Sequence, residues 1–392
     1  MAWIRSPRAL RRLIGLAVPC AVVVLAALTG VRVAVAAGAP TTWIRVHPGD
    51  DAQAKIDSCL RSGGGVVYFA PGIYVLPAHG DGTLRLPYVN AGTGRATPIT
   101  LRGDGVDASI LRAGQADTLL LIRGDRVTLE GLTLEGFGRN GAPAPGIVLG
   151  DDSDNHQPIG QQRVLSHFVM RDCLVRETGG PAFVARGRPD ISIECTFERV
   201  AFLRNESDTL VKIGGGNTTL GFDDCEFTRF PVCAVVLDGA DGIDFRRCVF
   251  EHEQGDNGAF VVAARTYDCR LDQCWFEDDA DGPALRGLAA TQWFVHLGVE
   301  NHSFLIDHCT FRRAGVDADS RAGRAVKCDA PSGLAAPAVT VRSPEVLVNS
   351  AGGVEMGAQA FVGDSSAVAL NGGYVRGGGG APRALRVRRA AP

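Results

Sequence analysis

Six charged side chains recur within or directly after short apolar runs, where a strand would turn them toward solvent. Lys212 lies between Val211 and Ile213, so alternation along a strand points it away from a buried face. The set with this placement is Arg186, Lys212, Asp238, Arg265, His296 and Lys327. Such a mainly basic row suits an anionic ligand, and a lysine or arginine with a lowered pKa can abstract a proton. A solvated strand face with charges of both signs would give the same pattern.

Oxygen-bearing side chains that could bind a metal ion are concentrated in one segment. Asp151, Asp152 and Asp154 are followed there by Asn155 and His156. Calcium takes roughly six to eight oxygen ligands, but the spacing is not that of an EF-hand loop. The sequence therefore leaves two alternatives, which are no cofactor or a Ca²⁺ ion bound by this segment.

An octet of one pattern recurs through most of the chain and indicates the elements that position these residues. In LGFDDCEF, which begins at Leu220, two apolar-x-apolar triplets flank two polar residues. Each triplet indicates a short strand with one buried face, and the polar pair indicates a bend between the two strands. The sixth position of the octet recurs at spacings of 23 to 41 residues: Leu132, Cys173, Val200, Cys225, Cys248, Cys274 and Cys309.

A third short apolar run precedes each octet, as in TLVKI at Thr209 and AVVL at Ala234. Such units cannot bury their apolar faces alone, so each has to stack on the next copy. Three short strands in a shortest repeat of 23 residues predict a parallel β-helix. Leucine-rich repeats would show asparagine ladders, and propeller blades would be about 40 residues long throughout.

The beginning of the solenoid differs from the repeats. Residues 50–76 combine an amphipathic helix, whose predicted apolar side holds Ala54, Ile56, Cys59 and Leu60, with the strand pair GGGVVYFAPGIYVL. The helix would cover the open end of the first turn. These features, with ITLRGDG at Ile99, resemble the opening of the pectate-lyase-like superfamily, which includes polygalacturonases, pectate lyases, polysaccharide epimerases and phage tailspikes. The resemblance implies an all-β, single-stranded right-handed parallel β-helix of about nine to eleven turns with an N-terminal capping helix.

In that superfamily a polymer lies along the outward face of the strand that precedes the octet. The resemblance therefore implies a carbohydrate-active protein, either a polysaccharide lyase or a glycoside hydrolase, that acts on an acidic polysaccharide. It implies catalytic roles for Lys212, Arg186 and Asp238. The residues implied in substrate binding are Arg265, His296, Lys327 and the outward-facing Trp275. No catalytic motif of a polygalacturonase or pectate lyase is complete, so a non-catalytic β-helix with a polysaccharide-binding or structural role is the alternative.

The N-terminal segment has the pattern of a secretory signal peptide over residues 1–36. Four arginines precede the apolar run from Leu13 to Leu28, and Ala34-Val35-Ala36 follows as a cleavage site. We therefore expect a secreted or periplasmic protein with no membrane contact beyond this segment, the alternative being an uncleaved anchor. Residues 37–97 are predicted to form the cap and first strands, 98–375 the β-helix, and 376–392 a disordered Gly/Arg-rich tail.

The formal net charge of −3 predicts no nucleic-acid partner. The sequence does not distinguish a monomer from a homotrimer. An exported protein usually pairs its cysteines, yet Cys225 shares an inward position with Cys248, Cys274 and Cys309, and other copies of the repeat place Val200 or Leu132 there. This exchange for aliphatic residues indicates buried free thiols in a column along the core.

Overall fold

The computed structural model describes the chain over residues 42–76, 82–86, 97–114, 118–136, 144–150, 164–187, 191–205, 209–230, 232–252, 259–278, 293–313, 324–329, 339–348, 357–363, 368–377 and 381–388. The predicted signal peptide lies outside these residues, as do Asp151, Asp152 and Asp154. Within the described ranges, none of the helices combines the length and the hydropathy that a membrane crossing requires.

Three parallel sheets account for nearly all of the secondary structure. Sheet 1 contains β1 (Trp43–Val46), β2 (Gly65–Phe69), β5 (Ile99–Arg102), β8 (Val127–Glu130), β11 (Val164–Ser166), β12 (Val169–Arg171), β15 (Ile191–Glu198), β18 (Thr218–Asp223), β21 (Asp241–Arg246), β24 (Arg270–Asp272), β27 (Phe304–Asp307), β30 (Val339–Arg342) and β33 (Val368–Asn371).

Sheet 2 contains β3 (Gly72–Leu76), β6 (Ser109–Ala113), β9 (Thr133–Glu135), β13 (Leu174–Thr178), β16 (Ala201–Asn205), β19 (Glu226–Thr228), β22 (Val249–His252), β25 (Trp275–Asp278), β28 (Thr310–Arg313), β31 (Glu345–Val348), β34 (Tyr374–Gly377) and β35 (Arg383–Ala384). Sheet 3 contains β4 (Leu84–Leu86), β7 (Leu120–Ile122), β10 (Ile147–Leu149), β14 (Phe183–Ala185), β17 (Thr209–Ile213), β20 (Cys233–Asp238), β23 (Ala259–Ala264), β26 (Trp293–Leu297), β29 (Val326–Cys328), β32 (Phe361–Val362) and β36 (Val387–Arg388).

The chain visits the three sheets in rotation, so the strands pair in parallel with the equivalent strands of the next turn, except for β35, which pairs antiparallel with β34. From β2 to β36 the described strands make eleven turns. Parallel connections of this kind are right-handed because strands twist in that sense, and the structure confirms the predicted right-handed parallel β-helix. In the tail, for which the sequence predicts disorder, β35 pairs with β34 and β36 extends sheet 3, while the Leu385 side chain is buried.

The predicted capping helix is present as α1 (Ala52–Arg61). It begins after Asp51, whose side chain accepts a hydrogen bond from the Ala54 amide at 3.0 Å. Its buried side chains are Ala52, Ile56 and Cys59, which pack against the first turn. Ala54 was predicted on this apolar side but is exposed. The buried side of the helix holds Ala52, Ile56 and Cys59, and Ala54 lies on the opposite side from Ala52.

The polar pair of each octet forms the corner between sheets 1 and 2. The second residue of the pair has a left-handed backbone with φ between 44° and 55°: Asp172, Arg199, Asp224, Arg247, Gln273, His308 and Ser343. The next residue then points inward as the sixth position of the octet. Left-handed backbone is unfavourable for residues other than glycine, and the stacked hydrogen bonds of eleven turns hold it in place.

Phenylalanine and cysteine side chains stack from turn to turn in the core. The rings of Phe250 and Phe276 lie 4.7 Å apart and nearly parallel. The ten cysteines of the described residues are all buried and free. The Trp275 amide donates to the Cys248 carbonyl at 2.9 Å, which places Cys274 directly beside Cys248 in the next turn. The Cys274 thiol in turn donates to the Phe245 carbonyl at 3.4 Å.

Native thiols should be unreactive, and denatured thiols should be titratable without reductant. Burial raises the pKa of Cys173, Cys195, Cys233 and Cys269 to about 12, so these four thiols carry almost no thiolate at neutral pH. We expect a thiol reagent to titrate close to ten groups in denaturant, the number of free cysteines described. A count near zero would show instead that the cysteines are paired in disulfides.

Glu135 on β9 forms a buried ion pair network between turns. Its side chain accepts a hydrogen bond from Arg112 at 2.7 Å and one from Arg176 at 2.8 Å, and only 3% of the residue is exposed. Burial raises the pKa of this carboxyl, but the hydrogen bonds from the two arginines outweigh it and hold the pKa below the ordinary value of 4.5. Its stabilising contribution is therefore present above pH 4.5 and is lost as pH falls through the lowered folded-state pKa.

Glu135→Ala should lower the free energy of unfolding by about 1–3 kcal/mol at pH 7, because two charge-assisted hydrogen bonds are lost. The difference from the unaltered protein should shrink in urea unfolding experiments below pH 4.5, where the folded carboxylate becomes protonated. Lys55→Ala is the control, since Lys55 and Asp50 form an exposed ion pair at 3.7 Å that should contribute less than about 1 kcal/mol. Equal effects of the two variants would contradict a structural role for Glu135.

Candidate functional site

The outward face of sheet 3 presents its side chains in rows that run across the turns. The strand register aligns Lys212 with Val236, Val236 with Val262, Val262 with His296, and His296 with Lys327. His296 and Lys327 are therefore neighbours on adjacent turns. Lys212 is three turns from His296, a separation of about 14 Å at the spacing of parallel strands.

A second row lies two residues further along each strand. It contains, turn by turn, Arg186, Gly214, Asp238, Ala264, Gly298 and Asp329. The small residues between Asp238 and Asp329 leave the backbone uncovered by long side chains. The two rows together form a shallow floor with charged groups at separate turns, which we call the sheet 3 groove.

Asp329 connects His296 and Lys327 at one end of the sheet 3 groove. Its Oδ2 is 2.9 Å from His296 Nε2, and its Oδ1 is 3.0 Å from Lys327 Nζ. Each of the three side chains is exposed over about a third of its surface. Burial raises the pKa of Asp329, but the hydrogen bonds from His296 and Lys327 outweigh it and hold the pKa below its usual value.

This arrangement fixes the proton on His296 and leaves its other nitrogen available. A carboxylate only accepts hydrogen bonds, so Nε2 of His296 carries the proton in the bond to Asp329. In the neutral ring Nδ1 is then a free acceptor, and within the described residues it has no partner. A carboxylate that orients an imidazole in this way stabilises the cation formed when the imidazole takes up a proton. The site can therefore act as a general base.

The sequence identified His296 and Lys327 but missed Asp329. The sequence does contain an indication of Asp329, because it follows Lys327 by two residues and a strand turns such a pair to the same face. The residue lies just after β29, beyond the apolar run that defined the strand.

The structure places the predicted catalytic residues on three successive turns, in two rows. Lys212 is exposed and forms no ion pair with any described residue. Arg186, directly after β14, is exposed as well. Asp238 is paired with Arg265, and both side chains are about half exposed. This ion pair brings together one predicted catalytic and one predicted binding residue. The roles assigned to these residues stay predictions.

Two other predicted features lie apart from the sheet 3 groove. Trp275 is on β25 in sheet 2, where its Nε1 donates to Glu277 Oε2 at 2.8 Å, so the indole faces a different side of the coil. The predicted calcium ligands lie outside the described residues. In the described ranges, no three His, Cys, Asp or Glu side chains are grouped so that they could hold a metal ion.

Neither a protein-family model nor a curated protein sequence matches the chain. Solved structures are similar to it. ORF18 of Geobacillus virus E2 is 13% identical, with a TM-score of 0.45 over 85% of this chain and 61% of that chain. The alginate lyase from Paenibacillus sp. str. FPU-7 is 14% identical, with a TM-score of 0.46 over 70% of this chain and 94% of that chain.

The tailspike gp49 from Acinetobacter baumannii bacteriophage Fri1, a capsular polysaccharide depolymerase, is 11% identical, with a TM-score of 0.48 over 89% of this chain and 65% of that chain. The chain thus spans less than two thirds of the length of either phage protein. Each of these likenesses concerns the fold.

Proposed function

We propose that this is a carbohydrate-active protein that binds an acidic polysaccharide along the sheet 3 groove and cleaves it by β-elimination at Asp329, His296 and Lys327. The observation that carries the proposal is the position of Asp329, which holds an imidazole and an ammonium group side by side on adjacent turns. A lyase needs both groups, one to remove a proton and one to stabilise the charge that develops.

In the proposed reaction His296 Nδ1 removes the proton α to a uronate carboxyl group. The electron pair left on that carbon forms a double bond as the glycosidic C–O bond on the adjacent carbon breaks. The leaving oxygen takes a proton from water or from the imidazolium, and the product has one unsaturated end. Lys327 has three N–H donors and uses one on Asp329, so the other two can bind the uronate carboxylate and stabilise its enolate form.

The spacing of the two described carboxylates in the second row favours a lyase over a glycoside hydrolase. Asp238 and Asp329 share the second row of the groove but are three turns apart, a separation of about 14 Å between their backbone positions. Inverting glycosidases hold their two carboxyl groups about 6.5–9.5 Å apart, and retaining enzymes hold them closer still. Hydrolysis by this pair is therefore not favoured. If the polymer binds without being cleaved, the non-catalytic alternative applies.

Export as a secreted or periplasmic protein is part of this proposal. It is supported by the arginine-rich start, the apolar run from Leu13 to Leu28 and the small residues that end at Ala36. N-terminal sequencing of protein recovered outside the cytoplasm should begin near residue 37. An N-terminus at Met1 would indicate an uncleaved segment.

A screen of the purified protein on polygalacturonate and alginate should detect unsaturated ends by their absorbance. His296→Ala and Asp329→Asn should each lower kcat about 100-fold or more, because the general base is removed or loses its orientation. Arg312→Ala is the matched control, since Arg312 pairs with Glu277 at 2.5 Å on sheet 2 and lies on another face. Parallel assays with Ca²⁺ and with a chelator test the calcium alternative.

Absence of unsaturated ends on these uronates, with and without calcium, would contradict the lyase proposal. Release of reducing ends without that absorbance would indicate a hydrolase instead. Loss of activity in Arg312→Ala equal to that in His296→Ala would show that the effect is structural.

Lys212→Ala tests whether the polymer runs along the groove. Lys212 is three turns from His296, so it can bind a remote carboxylate but cannot reach the reacting bond. We expect KM to rise about 3–10-fold with kcat nearly unchanged, as for a contact equally strong in the ground and transition states. The increase should fall at high salt, which screens exposed charges. A fall in kcat with KM unchanged would place Lys212 in the catalytic step instead.

A further inference from the structure

A stacked aromatic pair, exposed at Tyr267 and partly buried at His302, lies on the corner that leads from sheet 3 to sheet 1. Tyr267 follows the end of β23, and His302 occupies the equivalent position one turn later. Their rings are 4.8 Å apart and parallel within 1°. This separation equals the spacing of neighbouring strands, so the register of the coil stacks the two rings directly.

Exposed apolar side chains lie on two adjacent turns in the middle of the solenoid. Tyr267 is 49% exposed and Val299, on the next turn, is 51% exposed. The other exposed large apolar side chains of the described residues lie on the first turns or the last one: Trp43, Ile73, Val75, Val106 and Tyr374. Large apolar groups left in contact with water beside a charged groove are typical of a binding surface.

The half-exposed Tyr267 ring has one face without an aromatic partner among the described residues, which we call its open face. Its opposite face lies on His302, and no other ring of the described residues stacks on it. The residue paired with Tyr267 on the preceding turn is Asp241, which is exposed, and Gly242 beside it has no side chain. The open ring face is therefore turned toward Asp241, whose side chain is shorter than the tyrosine ring and carries a carboxylate acceptor.

The aromatic pair is continuous with the sheet 3 groove. Arg265, which pairs with Asp238 in the groove, is two residues before Tyr267. The Arg265 amide also donates to the Val299 carbonyl at 3.1 Å, so the corner and the groove share one backbone network. Tyr267 is two turns from Asp329, about 10 Å along the coil.

We propose that Tyr267 forms a sugar-binding subsite in which a pyranose ring of the bound polysaccharide stacks on its open face. The C–H groups on one face of a pyranose are apolar and pack on an aromatic ring, while the ring hydroxyl groups donate hydrogen bonds to the Asp241 carboxylate. His302 supports the Tyr267 ring from behind. Arg265 lies where it can bind a carboxylate of the adjoining sugar residue. This inference rests on the proposed function, because it assigns one subsite to the same ligand.

The test is the affinity of variants for polygalacturonate and alginate, measured as mobility shifts in native gels that contain each polymer and as Kd by calorimetry. Tyr267→Ala and Tyr267→Leu should both raise Kd about tenfold, since neither side chain offers a flat ring. Tyr267→Phe should retain the affinity, because the ring face remains. Tyr374→Ala is the matched control, being a tyrosine of similar exposure, 41%, on sheet 2.

The outcomes separate this subsite from the proposed function. If the unaltered protein binds a polymer and Tyr267→Leu binds it equally well, the subsite is wrong and the proposed function stands. If Tyr374→Ala weakens binding as much as Tyr267→Ala, the effect is not specific to the corner and the subsite is again wrong. Failure of the unaltered protein to bind either polymer would overturn both.

Discussion

Each turn of the coil lies on its neighbour in register, and this constraint decides which side chains meet. Successive strands are about 4.8 Å apart, so every residue stacks on the residue at the same position one turn away. Phe197, Phe222 and Phe245 follow this rule, with ring centroids 4.3 and 4.7 Å apart and nearly parallel. Isolated aromatic pairs prefer offset or edge-to-face contacts, so the backbone register imposes the flat stack. The same register aligns the buried cysteines, whose thiols donate to main-chain carbonyls.

On the surface the same rule turns charged residues into partners across turns. Opposite charges stacked at the strand spacing attract, and the left-handed position of the corner alternates in sign over four turns, at Asp172, Arg199, Asp224 and Arg247. Arg199 holds Asp172 through two hydrogen bonds of 2.6 and 2.9 Å, and Arg247 holds Asp224 through two of 2.8 and 2.9 Å. The partner of a charged surface residue on this coil is thus first sought at the same position one turn away. The Asp329 group differs, because one of the two partners of its carboxylate is an imidazole, whose second nitrogen has no partner within the described residues.

The fold could be predicted from the sequence because the repeat is local. Period-two alternation and the polar pair are visible within eight residues, and their recurrence implies stacking. The partners of charged residues could not be predicted, because they depend on register between segments 23 to 41 residues apart. Asp238 was therefore assigned to catalysis, while its ion pair with Arg265 became visible only in three dimensions. Trp275 faces outward as expected, but period-two alternation does not say which sheet carries the ligand.

The difference between sheets 1 and 3 supports the proposal that a ligand binds on the outer face of sheet 3. On sheet 1, Asp272 and Asp307 point outward yet are only 9% and 8% exposed, and Arg270 contacts both at 3.0 and 3.4 Å. A ligand there would have to separate Arg270 from the two carboxylates that it already contacts. In the second row of sheet 3, Gly214, Ala264 and Gly298 leave no long side chains between the charged groups. A polymer could therefore lie on partly exposed backbone and short side chains, while the ion pair of Asp238 and Arg265 would have to rearrange.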